Sequence, residues 1–106
     1  MAGMVGSANK AEVDDNVHAI VEKVTPKFKE EATKQGHNGL VEKLEAVEVM
    51  KQVVAGTNYF VKVKIHGGSQ HAFLRIFVPL PHAGSEPELV ACKLGMSESD
   101  ALEYFE

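Results

Sequence analysis

The chain has 106 residues, the length of one domain, with 11 Lys+Arg against 15 Asp+Glu and a formal net charge of -4. That balance argues against nucleic acid, whose binding needs many phosphates neutralised. A content of 44% hydrophobic and 25% charged residues excludes a disordered tail, and the one cysteine, Cys92, excludes a disulfide-built mini-domain and fits a reducing compartment.

Residues 1–10 are small and glycine-bearing, and read as a mobile arm. Met1 to Ser7 hold neither a long apolar run nor a basic leader, so neither a signal peptide nor a membrane span is expected. From Val13 the pattern is helical. Val13, Val17, Ile20, Val21, Val24 and Phe28 recur at the spacing of one helix face, and Asp14 and Asp15 carry the negative charge that a helix N-terminus favours. Pro26 interrupts this run, so a bend is expected near Glu22 to Pro26, with helix resuming to about Thr33. Gln35 to Gly39 is a loop.

Strands follow. Leu44 to Val54 is β-prone but has no clean period. Asn58 to His66 alternates, with Tyr59, Val61, Val63 and Ile65 on one face and Lys62 and Lys64 on the other. Gly67-Gly68-Ser69 is a hairpin turn. His71 to Val78 returns with Ala72, Leu74, Ile76 and Val78 on one face, and Phe73, Arg75 and Phe77 on the other. Pro79 ends it. Glu88 to Lys93 is a shorter strand, and Met96 to Glu106 an acidic tail with Leu102, Tyr104 and Phe105 as apolar anchors. The expected architecture is a single α+β domain over residues 1–106, one amphipathic helix packed on an antiparallel meander.

Catalytic and metal motifs are not found. Gly67-Gly68 lacks the spacing and following helix of a phosphate loop. There is no zinc-binding helix motif or cysteine pair, and His66 and His71, which flank the hairpin turn, read as surface polar positions. Cys92 reads as a small apolar strand residue rather than a nucleophile. No enzyme and no cofactor is expected.

The informative features are two strand tips. Val53, Val54 and Ala55 are apolar on consecutive positions before Gly56 and Asn58, which supply turn chemistry. Consecutive strand residues face opposite sides, so at least one of the two valines is read as facing away from the core. The plainer reading is that the strand runs on and exposes one valine at little cost. The second tip, Val78-Pro79-Leu80-Pro81-His82, holds a leucine between two prolines. In an up-and-down meander both tips lie at one end of the sheet and the polar Gly67 turn at the other, which marks the apolar end as a binding edge.

Gln52-Val53-Val54-Ala55-Gly56 resembles the Gln-x-Val-x-Gly motif of the cystatins, and the longer run through Thr57-Asn58-Tyr59-Phe60 resembles their intracellular branch, the stefins (type 1 cystatins). Ile20 to Val24 with Pro26, Leu44 to Val47, Leu74 to Phe77 with Leu80-Pro81-His82, and Asp100, Leu102, Tyr104 and Phe105 resemble other stefin segments in order. Secreted cystatins carry a leader, two disulfides and a Pro-Trp second loop. None of these features is read in this chain, which has one cysteine and no tryptophan. The resemblance implies a four- to five-stranded sheet around one helix, a cytoplasmic location and no membrane association. It implies reversible, tight-binding competitive inhibition of papain-like cysteine proteases, cathepsins included, by a wedge that plugs the active-site cleft.

Carried over residue by residue, the first loop of the wedge is Gln52, Val53, Val54, Ala55 and Gly56, and the second Leu80, Pro81 and His82. In the N-terminal arm Gly3 and Gly6 are both candidates. Gly6 is favoured because Met4 and Val5 before it offer apolar side chains to the protease. A monomer is expected, with a domain-swapped dimer if the first loop opens and its two strands fuse. The competing expectations are a non-inhibitory binding module of the same fold, an enzyme using Cys92, and a histidine-based metal carrier.

Overall fold

The computed structural model describes residues 9–36, 41–54, 56–67, 70–80 and 86–102, leaving aside the Val54 side chain. Five strands and one helix follow in order: β1 (Asn9–Ala11), α1 (Asp15–Lys34), β2 (Lys43–Val54), β3 (Gly56–His66), β4 (His71–Val78) and β5 (Glu88–Met96). The strands form one antiparallel sheet in the order β1-β2-β3-β4-β5.

The helix starts at Asp14, whose Oδ1 accepts the Val17 N–H at 2.9 Å, satisfying one of the free donors of a helix N-terminus. Val17, Ile20, Val21, Val24, Phe28 and Ala32 are its buried stripe. They meet Val49, Val61, Val63, Ile65, Leu74 and Ile76 from the inner face of the sheet, which closes the main core. The helix expected to bend near Glu22 to Pro26 and resume to about Thr33 is assigned as one element to Lys34, with Pro26 inside it. Glu22 and Pro26 lie off the buried stripe beside a cleft, where water can take the carbonyl that proline leaves without a donor.

Other expectations shift at their edges. Asn9 and Lys10, read as part of the arm, pair with Lys51 and Met50, so β1 fixes the chain there. Strand β3 begins at Gly56, two residues before the expected Asn58, so Asn58 lies inside the ladder. Strand β5 extends beyond Lys93 to Met96. The missing period of β2 has a cause: the register with β3 slips between Ala46 and Glu48, so Leu44 and Ala46 face the core before the irregularity and Val49 after it.

The outer face carries a second apolar cluster. Phe60 and Phe73 are buried there against Met50, Ala91, Met96 and Leu102. Lys62 shares that face, as its alternation requires, yet is buried. The segment after β5 crosses above it, and Lys62 Nζ donates to the Glu98 and Asp100 carbonyls at 2.5 and 2.7 Å, with Glu48 Oε1 at 3.7 Å. These partners offset the desolvation of a buried ammonium. Among the described residues no helix is long and apolar enough to cross a membrane.

Candidate functional site: two tips at one end of the sheet

Pairing places the two tips side by side. Val53 pairs with Thr57, and Thr57 pairs on its other side with Val78, so the β2–β3 turn and the end of β4 share one end of the sheet. Val53 is 71% exposed and Leu80 41% exposed. Val53 shares the inner face of Val49 by alternation, so a valine on the core side is the one left open. Its strand has outrun the core that covers Val49. Large exposed apolar side chains also occur at Val47 and Val90, but neither lies in a turn.

The base of the tips is tightly built. Gly56 has φ +121°, a conformation side chains rarely adopt. A Cβ there would lie 2.7 Å from the Val78 carbonyl oxygen and 2.8 Å from Cζ of Phe77. The first turn is therefore seated against the strand that leads into the second. On the outer face Asn58 Nδ2 donates to Gln52 Oε1 at 2.8 Å across the hairpin. Asn58 is buried, and its partner on β4 is Phe77.

Gln52, Val53, Gly56 and Leu80 thus gather at one end, and β2 carries the Val54 backbone there too. Gly3, Val5, Gly6, Ala55, Pro81 and His82 lie outside the described residues, as do Tyr104 and Phe105. The sequence puts Asn58 at this end as turn chemistry without its pairing to Gln52, and does not place Phe77 here. The signal was available, since Gln52 and Asn58 stand equidistant from Ala55 and must face each other if the hairpin turns there.

The remaining chemistry lies elsewhere. A concavity of about 760 Å³ on the outer face is lined by both carboxylates and ammonium groups, among them Glu45, Glu48, Lys62 and Lys64, with His71. Burial pushes the Cys92 thiol above its ordinary pKa, the opposite of what an activated nucleophile needs. No group of three metal-ligating side chains occurs among the described residues.

His66 Nε2 meets Glu45 Oε1 at 2.7 Å. Chiefly through that hydrogen bond, and also through attraction to His66, Lys64 and Lys43, the Glu45 carboxyl is held below its ordinary 4.5. A carboxylate depressed in the folded state contributes stability above its unfolded pKa and loses it as pH falls through the folded value. A carboxyl-detected NMR titration should therefore give Glu45 a midpoint below 4.5, and His66→Ala should move it upward.

The frame is one helix on a five-stranded antiparallel meander, with Val53 and Leu80 exposed at the end where the β2–β3 hairpin adjoins the end of β4. The cystatin domain model matches residues 6–95. Leukocyte cysteine proteinase inhibitor 1 of Sus scrofa is 35% identical over 89 residues, 84% of this chain and 81% of that protein. Cystatin-A of Homo sapiens is 35% identical over 84% of this chain and 85% of its own. Cystatin-B of Mus musculus is 33% identical over 105 residues, 98% of this chain and 93% of that protein. The chain belongs to the cystatin family and is of the stefin type. Members of this family are protease inhibitors, not enzymes.

Proposed function

We propose that this protein is a reversible, tight-binding competitive inhibitor of papain-like cysteine proteases, cathepsins among them. Its apolar end enters the active-site cleft as a wedge of Gln52, Val53, Val54, Ala55 and Gly56, of Leu80, Pro81 and His82, and of the N-terminal arm with Val5 and Gly6 or Gly3. The observation that carries this reading is Val53, a valine 71% exposed at the tip of a hairpin seated against a second apolar tip. Such a plug escapes cleavage if neither loop sets a carbonyl in line for attack by the catalytic thiolate.

Affinity of this kind has a physical requirement. Burying Val53 and Leu80 contributes about 1.5–3 kcal/mol each. Nanomolar binding needs about 12 kcal/mol net. Main-chain hydrogen bonds and loops already fixed in their bound shape must supply the rest. The test is a titration of active-site-counted papain. Stoichiometric loss of activity, recovered on dilution, with the inhibitor intact afterwards, is the expected result. No inhibition by verified monomer would overturn the proposal and leave a non-inhibitory binding module.

The monomer is the inhibitory form, and the cytoplasm is its proposed site of action. The 12-residue β2 and the 11-residue β3 are separated by Ala55 alone. Opening that turn would make one long strand, able to pair with a second copy, and would consume the first loop. Heating a concentrated sample should yield a dimer by size exclusion that does not inhibit papain. A dimer that inhibits at full strength per chain would contradict the exchange.

A further inference from the structure

Three side chains stand abreast beneath the tips on the outer face: Gln52 on β2, Asn58 on β3 and Phe77 on β4. Asparagine is mostly an exposed residue, yet Asn58 is only 6% exposed. Its amide is committed to Gln52 Oε1, which ties β2 to β3 just below the first turn. Phe77 completes the row. Its ring atoms stand 2.8 and 3.0 Å from where a Gly56 side chain would begin, and the next residue, Val78, presents its carbonyl at 2.7 Å. The first turn and the end of β4 therefore share one base, and the Gln52 side chain is tied to Asn58 there through its Oε1.

We propose that Asn58 and Phe77 are positioning residues for protease binding, holding the two loops in the one arrangement that fits the cleft. This rests on the inhibitor reading above. Asn58 acts through Gln52 and fixes the first loop, and Phe77 seats that loop against the strand entering the second. Neither needs to touch the protease. Asn58→Ala removes a buried hydrogen bond and should weaken papain inhibition by roughly tenfold, about 1.4 kcal/mol. Phe77→Ala should weaken it at least as much, since it leaves both Gly56 and Asn58 uncovered.

The experiment separates positioning from general support of the fold. Inhibition constants against papain and thermal midpoints are measured for Asn58→Ala, Phe77→Ala and Val63→Ala. Val63 is fully buried in the main core, well below the tips, and serves as a control that lowers stability alone. The expected result is weakened inhibition in the first two and unchanged inhibition in the third. In a Gln52→Ala background Asn58→Ala should have no further effect. Equal weakening by Val63→Ala for the same loss of midpoint would overturn the proposal, as would additive effects of the Gln52 and Asn58 substitutions. Amide hydrogen exchange at Val53 and Gly56 gives a readout free of any protease. It should quicken in Asn58→Ala and Phe77→Ala, and unchanged exchange would also overturn the proposal. If the parent chain fails to inhibit papain, the inhibitor reading falls, and exchange alone decides whether the row fixes the loops.

Discussion

Val53→Asp is expected to weaken papain inhibition by at least about 100-fold while leaving the thermal midpoint nearly unchanged. Val53 is 71% exposed, so the fold hardly depends on its burial, and substitutions at such positions usually stay within about 0.5 kcal/mol. In a protease cleft the same position loses its water. A carboxylate there has no assigned partner and carries a desolvation penalty of several kcal/mol. The two effects separate cleanly because one is read from the free protein and the other from the complex. Inhibition constants and melting curves on the same preparation check this. Inhibition within about threefold of the parent's would place the tip outside the contact.

Gly56→Ala should act on the fold as well as on binding. At φ +121° an alanine is strained, which costs about 1–3 kcal/mol. Its Cβ would also meet the Val78 carbonyl oxygen at 2.7 Å. A ring such as that of Phe77 can swing aside, but a main-chain carbonyl cannot without moving β4, and overpacking of this kind costs about a further 1–3 kcal/mol. A total of about 2–6 kcal/mol corresponds to a fall of at least about 8 °C in the midpoint of a domain this size. Gly95→Ala is the matched control. Its φ is +74°, but a Cβ there meets nothing within 4 Å, so only the backbone cost of about 1–2 kcal/mol applies. Thermal unfolding of both variants isolates the packing of the two turns. Equal losses would mean that the Val78 carbonyl yields freely.

Where local pattern and tertiary packing agree, these elements were legible in the residues. The stripe from Val17 to Phe28 and the alternation of Tyr59, Val61, Val63 and Ile65 each bury one face against the other, and both appear as expected. The slip at Ala46/Glu48 hid the faces of β2, because one irregularity reverses the parity of all that follows. β1 carries no pattern of its own in Asn9-Lys10-Ala11 and exists because β2 offers it an edge. Pro26 does not end the helix. Its cost falls on a side of the helix open to a cleft, and the buried stripe holds the helix together across it. The fate of Lys62 depends on a segment some 36 residues further on, which no local pattern reports.

The candidate site was legible for a different reason. Val53 and Val54 are apolar on consecutive strand positions, and Leu80 lies between two prolines, and neither pattern lets every side chain face the core. What lay hidden was their support. Asn58 read both as turn chemistry and as the first residue of its strand, and only the register sets it inside the ladder, bonded to Gln52. Phe77 looked like one more outer-face aromatic. Its closeness to Gly56 is set by the pairing of β3 with β4 and is absent from the order of residues.

The central claim is that the apolar end is the surface that meets the protease. The most direct measurement is amide chemical-shift mapping of the isotope-labelled protein with one equivalent of papain. The predicted result is a perturbation concentrated at residues 52–58 and 77–80, with the Gly67 turn and the exposed face of the helix unchanged. Perturbations centred on the Gly67 end or on the outer-face concavity would contradict the claim.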